Sequence, residues 1–243
     1  MSDHQRIDFI VMGAQKAGTT ALFDHLSDDP ALGLSRVKEV HFFDNDTLDW
    51  AAPDYGPYHD QFDWTEDKIR GEATPIYVYW PGSLERIAAY RPDIKLILML
   101  RDPVERAWSH WRMEAARGVE PLAFAQAIRR GRQRLFRGEP WGHHREYSYV
   151  ERGFYGDQLE RVLRLFAQDQ VLILQANDLA ADPNGVLSQF NAFVGAPPPP
   201  ISAPRQVHVG QDMGQMDSAD RAYLEALYAP DQARLAALLE TLR

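Results

Sequence analysis

Two short apolar runs, each closed by a turn signal and followed by a helical pattern, limit the chain to very few folds. The first is Phe9-Ile10-Val11-Met12, and the second is Lys95-Leu96-Ile97-Leu98-Met99-Leu100. Runs apolar at nearly every position suit strands buried on both faces of a parallel sheet. After the first run comes a glycine-containing loop, Gly13 to Gly18, and then a helical stretch from Thr19 to Leu26. After the second, Asp102 caps a helix, Pro103 fills its first position, and the pattern continues to about Ala116. Tyr155 to Phe166 reads as a helix, Val171 to Leu174 as a strand and Asn184 to Val194 as a helix. Pro197 to Pro200 is a stiff extended connection. A last helical pattern, from Asp217 to Leu242, should break near Pro230. Strands alternating with helices predict a P-loop-containing three-layer α/β/α fold around a central parallel sheet, with one domain over residues 1–243. In such folds ligands bind at the carboxyl ends of strands, where the loops after Met12 and Leu100 both sit.

The first loop carries a chemical signal. Gly13-Ala14-Gln15-Lys16-Ala17-Gly18-Thr19-Thr20 has the G-x-x-x-x-G spacing of a phosphate loop, with Thr20 where that motif has Ser or Thr. Such a loop turns backbone N–H groups and a helix N-terminus towards an anion. A nucleotide triphosphatase would place its lysine after the second glycine. That position is Thr19, and the lysine comes three residues earlier, at Lys16. A lysine inside the loop reaches a 5'-phosphate and its bridging oxygen rather than a γ-phosphate further out. The bland alternative is a glycine-rich turn with no ligand.

Composition removes other classes. No cysteine is present, so disulfides, thiolate metal sites and thiol nucleophiles are excluded. A formal charge of −9 argues against a nucleic-acid partner. Met1 to Asp8 is polar, and no stretch reaches the ~20 apolar residues of a membrane span, so a soluble cytoplasmic protein is expected.

Four segments in order carry a family resemblance. Asp8 to Leu22, DFIVMGAQKAGTTAL, resembles the 5'-phosphosulfate loop of sulfotransferases that use 3'-phosphoadenosine-5'-phosphosulfate (PAPS), of the heparan-sulfate N- and 3-O-sulfotransferase type with its bacterial relatives. Lys38 to Asp44, KEVHFFD, resembles the segment that carries the catalytic base in that group. Glu72 to Tyr77, EATPIY, resembles its E-K-T-P-x-Y stretch, and Leu98 to Trp108 followed by Ser109 resembles its 3'-phosphate-binding strand and helix.

The resemblance implies a sulfuryl transfer from PAPS, with PAP as product and no metal, to a glycan or small-molecule hydroxyl or to an amine. It assigns Glu39 as general base and Lys16 as a catalytic cation, and His41 either orients the acceptor or shares the proton. The donor would be held by Gln15, Lys16, Ala17, Gly18, Thr19 and Thr20 in the loop, and by Arg101, Ser109 and Tyr155. Two departures stand out: Ala73 replaces the lysine of E-K-T-P, and Val209-Gly210-Gln211 stands where relatives often have Lys-Gly-Arg. Arg205, His208 or Gly210 would serve there instead.

Each assignment has a plainer rival. Glu39 could pair with Lys38 or Arg36 on a solvated loop, Arg101 with Asp102 or Glu105, and Tyr155 could only pack a helix start. Arg129, Arg130, Arg132, Arg134 and Arg137 form either a patch for an anionic acceptor or a solvated helix face. Trp108, Trp111 and Trp141 either line an acceptor cleft or pack a core. His143-His144 lacks a third ligand, and no metal site is expected. For the whole chain the rivals are a P-loop kinase or nucleotide triphosphatase, and a non-catalytic nucleotide-binding protein of the same fold.

Overall fold

A computed structural model describes residues 6–137, 142–202 and 214–242. Their contacts gather into two compact units, one drawn from residues 1–100 and 161–207, the other from 101–160 and 208–243.

The first unit contains the sheet. Strands β1 (Phe9–Gly13), β2 (Leu32–Leu34), β3 (Ile69–Ala73), β4 (Lys95–Leu100) and β5 (Val171–Gln175) are ordered β2-β3-β1-β4-β5, all parallel. Val11 pairs with Ala73 on one side and Ile97 on the other, and Leu98 pairs with Ile173. Every residue of β1 is buried, as its unbroken apolar run requires of a central strand. Helices α1 (Thr19–Leu26), α2 (Gly56–His59), α3 (Ser83–Tyr90), α8 (Ala176–Ala181) and α9 (Pro183–Val194) belong to this unit. From β1 the chain departs towards β2, and from β4 it proceeds to β5 on the opposite side. The connections therefore reverse between β1 and β4, the position where open parallel sheets form a ligand crevice at their carboxyl ends.

β2 and β3 carry no apolar run. β3 reads Ile-Arg-Gly-Glu-Ala, yet Arg70 and Glu72 are both buried. Arg70 lies against the Trp64 ring, 4.7 Å from its centroid, and donates to the backbone oxygens of Asp63 (2.7 Å), Lys68 (2.8 Å) and Glu66. Specific partners allow these polar side chains in a strand interior.

The second unit is helical. It holds α4 (Pro103–Ala116), α5 (Phe124–Ala127), a 3-10 segment over Arg130–Arg137, α6 (His144–Tyr147), the start of α7 (Tyr155–Leu165) and α10 (Ser218–Thr241). Asp102 caps α4 through Glu105 N at 2.8 Å with Pro103 in the first turn, as its sequence predicts. The core is formed by Val104, Trp111, Phe124, Ile128, Tyr149 and Leu224.

The break expected at Pro230 does not occur: α10 continues through it. Anchors on both sides of the proline account for this. Tyr228 donates its hydroxyl to Val150 O at 2.9 Å, and the Asp231 carboxylate accepts from Gly156 N (2.9 Å) and Asp157 N (3.0 Å). Asp231 thereby satisfies two of the open N–H groups at the start of α7. Asp231→Ala should lower stability by about 1 kcal/mol, within the range of a lost helix cap, and reduce the melting temperature by roughly 2–4 °C. Thermal denaturation checks this, and an unchanged midpoint contradicts the capping role.

Candidate active site

At the end of β1 the backbone turns away from the sheet, and Ala14 N donates to Met99 O of β4 at 2.8 Å. Gly13 has no room for a side chain, since an added Cβ would lie 2.4 Å from Val78 Cγ1. Gly18 takes φ +89° immediately before α1, a conformation that suits glycine. Among the described residues no side chain caps α1, so its first turn presents N–H groups to the loop. Ala17 and Thr19 are buried, Gln15 and Lys16 are half-buried, and Thr20 is exposed. Burial of Thr19 matters because this is where a triphosphatase lysine would stand. The residues expected to hold a phosphate are thus together on one loop, with Lys16 as its cation.

Lys38 to Asp44 belongs to no strand or helix. His41 takes φ +55°, which turns the chain, and Glu39 and His41 still reach one another. His41 Nε2 lies 3.4 Å from Glu39 Oε2, while its Nδ1 lies 2.9 Å from Asp44 Oδ2. Lys38 Nζ sits 3.2 Å from Glu39 Oε1. Glu39 therefore has the lysine neighbour of the plainer reading, and the imidazole as well. A neutral His41 that donates Nδ1–H to the buried Asp44 carboxylate turns its Nε2 lone pair towards Glu39; a protonated ring donates to both. The arrangement can take up a proton and spread its charge over three side chains. Motif spacing gave Asp44 no role, although it stands inside the KEVHFFD segment, three residues after His41.

Glu72 is the second residue whose part was not foreseen. It is fully buried, and hydroxyls surround its carboxyl: Oε1 accepts from Tyr58 Oη (2.8 Å) and Tyr77 Oη (3.1 Å), and Oε2 from Thr74 Oγ1 (2.5 Å). Burial pushes its carboxyl up to about 7, against the lowering effect of the three hydroxyls and with a further rise from Asp44. The same burial, with Glu72 next, holds the Tyr77 and Tyr58 phenols well above their ordinary value. Ala73, where the resemblance has a lysine, is buried at the end of β3.

In the second unit Arg101 is the first residue after β4, and Ser109 lies half-buried two turns into α4. The two carboxylates nearest to Arg101 in sequence have other partners, Asp102 as the α4 cap and Glu105 with Arg221. Tyr155 is buried as the first residue of α7, and burial raises its phenol to about 12. Neither reading of the arginine run survives intact. Arg129 pairs with Asp220 (2.5 Å), Arg132 with Glu151 (2.7 Å) and Arg134 with Glu120 (2.6 Å), so three of its charges are neutralised within the unit. Trp108 and Trp111 stack on each other at 5.0 Å and meet Phe124 edge-on, which places them in the core. Trp141, Arg205, His208, Val209, Gly210 and Gln211 lie outside the described residues.

A parallel sheet whose central strand opens through a glycine-bounded loop onto an uncapped helix defines a phosphate-loop α/β protein. Residues 6–208 match the sulfotransferase-domain family, and the chain belongs to it. It is 30% identical over 194 residues to heparan sulfate glucosamine 3-O-sulfotransferase 3B1 of Mus musculus, covering 76% of this chain and 45% of the relative. It is 25% identical over 275 residues to bifunctional heparan sulfate N-deacetylase/N-sulfotransferase 4 of the same species, covering 96% of this chain and 30% of the relative. The chain thus spans less than half the length of these curated relatives. Among solved structures, a sulfotransferase from Alicyclobacillus acidocaldarius is similar with a TM-score of 0.81 and 29% identity, covering 97% of this chain and 96% of that one.

The position of Glu72 has a measurable consequence for stability. In the unfolded chain its carboxyl releases its proton near the ordinary 4.5, whereas in the folded chain it holds the proton up to about 7. Folding therefore takes up a proton between these values, and the contribution of Glu72 is complete below 4.5 and declines as pH rises towards 7. Glu72→Gln removes the titration. Urea denaturation at pH 5 and pH 8 should show wild type losing stability relative to the variant at the higher pH; parallel changes would contradict a raised carboxyl.

Proposed function

We propose that this sulfotransferase uses PAPS as donor and transfers the sulfuryl group to an acceptor hydroxyl, with a sugar hydroxyl of a heparan-sulfate-like glycan as the first candidate. The observation that carries the reading is the Glu39 carboxylate held between Lys38 and an imidazole anchored on Asp44. The acceptor is suggested by the relatives, whose names specify heparan sulfate.

PAPS supplies the sulfuryl group on its 5'-phosphate and is released as PAP. Glu39 accepts the proton of the acceptor hydroxyl as the new S–O bond forms, a general-base role worth about 10²–10⁴-fold. His41 orients that carboxylate and shares the charge with Asp44. Lys16 and the loop amides neutralise the charge left on the phosphate oxygen when the old S–O bond breaks, which is electrostatic stabilisation by preorganised groups. Their fit to a phosphate rests on the close approach at Gly13, the left-handed Gly18 and the uncapped first turn of α1. The resemblance gives the 3'-phosphate to Arg101 and Ser109, a forked charged donor and a short hydroxyl. Buried Thr19 counts against a kinase, which needs a lysine at that position.

Calorimetric titration with PAP, and separately with ATP plus Mg²⁺, tests the donor. Binding of PAP without metal is expected; binding of Mg·ATP alone would overturn the proposal. With labelled PAPS and heparan sulfate, Glu39→Gln should bind PAP as wild type does and lose about 10²–10⁴-fold in turnover. A fully active Glu39→Gln enzyme removes the general-base role.

A further inference from the structure

The buried carboxyl of Glu72 is linked through hydroxyls to the segment that carries Glu39 and His41. Each of two hydroxyls around it has a second bond, and both second bonds go to that segment. Thr74 Oγ1 donates to Glu72 Oε2 at 2.5 Å and accepts Val40 N–H at 3.0 Å. Tyr77 Oη donates to Glu72 Oε1 at 3.1 Å and accepts Phe42 N–H at 3.0 Å, with Phe43 N at 3.4 Å.

The choice of amides is informative. The Val40 N–H belongs to the peptide plane that leaves Glu39, and the Phe42 N–H to the plane that leaves His41. Planarity of the peptide means that fixing the N–H fixes the carbonyl side as well. Two hydrogen bonds thus set the backbone directly after each of the two residues. His41 also takes φ +55°, which non-glycine residues seldom adopt without surroundings that impose it. A hydroxyl has one proton to donate, and a carboxylate that has lost its proton, as Glu72 has above about pH 7, can only accept. With its own proton turned to Glu72, each hydroxyl oxygen directs its lone pairs to the amides above it. All three groups, Glu72, Thr74 and Tyr77, are fully buried, so water does not offer substitute partners.

We propose that Glu72 is a positioning residue, which through the Thr74 and Tyr77 hydroxyls holds the 39–42 backbone and so places Glu39 and His41 for proton transfer. Its effect on turnover rests on the proposed sulfuryl transfer; its effect on the backbone does not.

Hydrogen exchange at the Val40 and Phe42 amides, PAP binding, and turnover with labelled PAPS and heparan sulfate separate the two. Thr74→Val keeps the shape and removes the hydroxyl, and should expose the Val40 amide to exchange. It should lower kcat roughly 10- to 100-fold, the scale of a small misplacement of a reacting group, with donor KM and PAP affinity unchanged. Thr74→Ser restores the hydroxyl and should restore both exchange protection and kcat. Tyr77→Phe should act in the same way at the Phe42 amide, and Glu72→Gln at both, which keeps the test usable if one variant fails to fold. An unchanged Val40 amide in Thr74→Val overturns the positioning role. Faster exchange with intact turnover overturns its catalytic relevance. Absence of transfer by the wild-type enzyme sinks the proposed sulfuryl transfer, while the exchange data still decide the backbone claim.

Discussion

A parallel sheet with its central strand sealed on both faces leaves side chains nowhere to meet a solute except at its ends. β1 is buried throughout its length, and β4 is buried in all but its first residue. Reactive groups therefore have to come from the segments beyond the strand ends. The loop after β1 supplies its own backbone, which requires a glycine at 13 because Val78 already occupies the space. After β3 the chain continues differently, through Thr74 to Tyr77, and the hydroxyls of these two residues accept the Val40 and Phe42 amides.

Charged side chains within the fold meet different surroundings. In the helical unit two part-buried arginines are answered by carboxylates, Arg134 by Glu120 and Arg132 by Glu151, while fully buried Arg106 and Arg152 donate to backbone carbonyls. In the sheet unit burial holds the Glu72 proton to higher pH, and the hydroxyls around the carboxyl offset this only in part. The surroundings decide the outcome, a distinction that net charge and composition do not contain.

Much of the fold was legible because its elements are locally consistent. β1, β4, β5, α1, α4, α7 and α9 carry apolar runs, caps or helical spacing that agree with their final state, and they form within a residue or so of the expected bounds. β3 was not legible, since its buried Arg70 and Glu72 depend on partners outside the strand, the Asp63, Glu66 and Lys68 carbonyls and the Tyr58 hydroxyl among them. Pro230 misled for the same reason: propensity favours a break, and the bonds of Tyr228 and Asp231 override it. At the site, Lys16, Glu39 and His41 could be read from ordered motifs. Asp44 and Glu72 lay within those motifs, but their importance depends on burial and on hydroxyl partners that spacing does not reveal. In the arginine run, too, spacing does not reveal the partners: Asp220 lies 91 residues from Arg129, and Glu151 answers Arg132.

Neither unit is continuous in the chain, and this sets an order for biosynthesis. The helical unit begins at Arg101, but the helix that closes it, α10, starts only at Ser218. Until then Gly156 N and Asp157 N lack the Asp231 carboxylate, and Val150 O lacks the Tyr228 hydroxyl. The sheet likewise waits for β5 at Val171 to cover β4, so a strand edge rich in leucine and isoleucine stays open in the meantime. At roughly 5–20 residues per second on the ribosome these intervals last several seconds. In that interval the outer edge of β4 offers a foreign strand the same hydrogen-bonding row that β5 later takes.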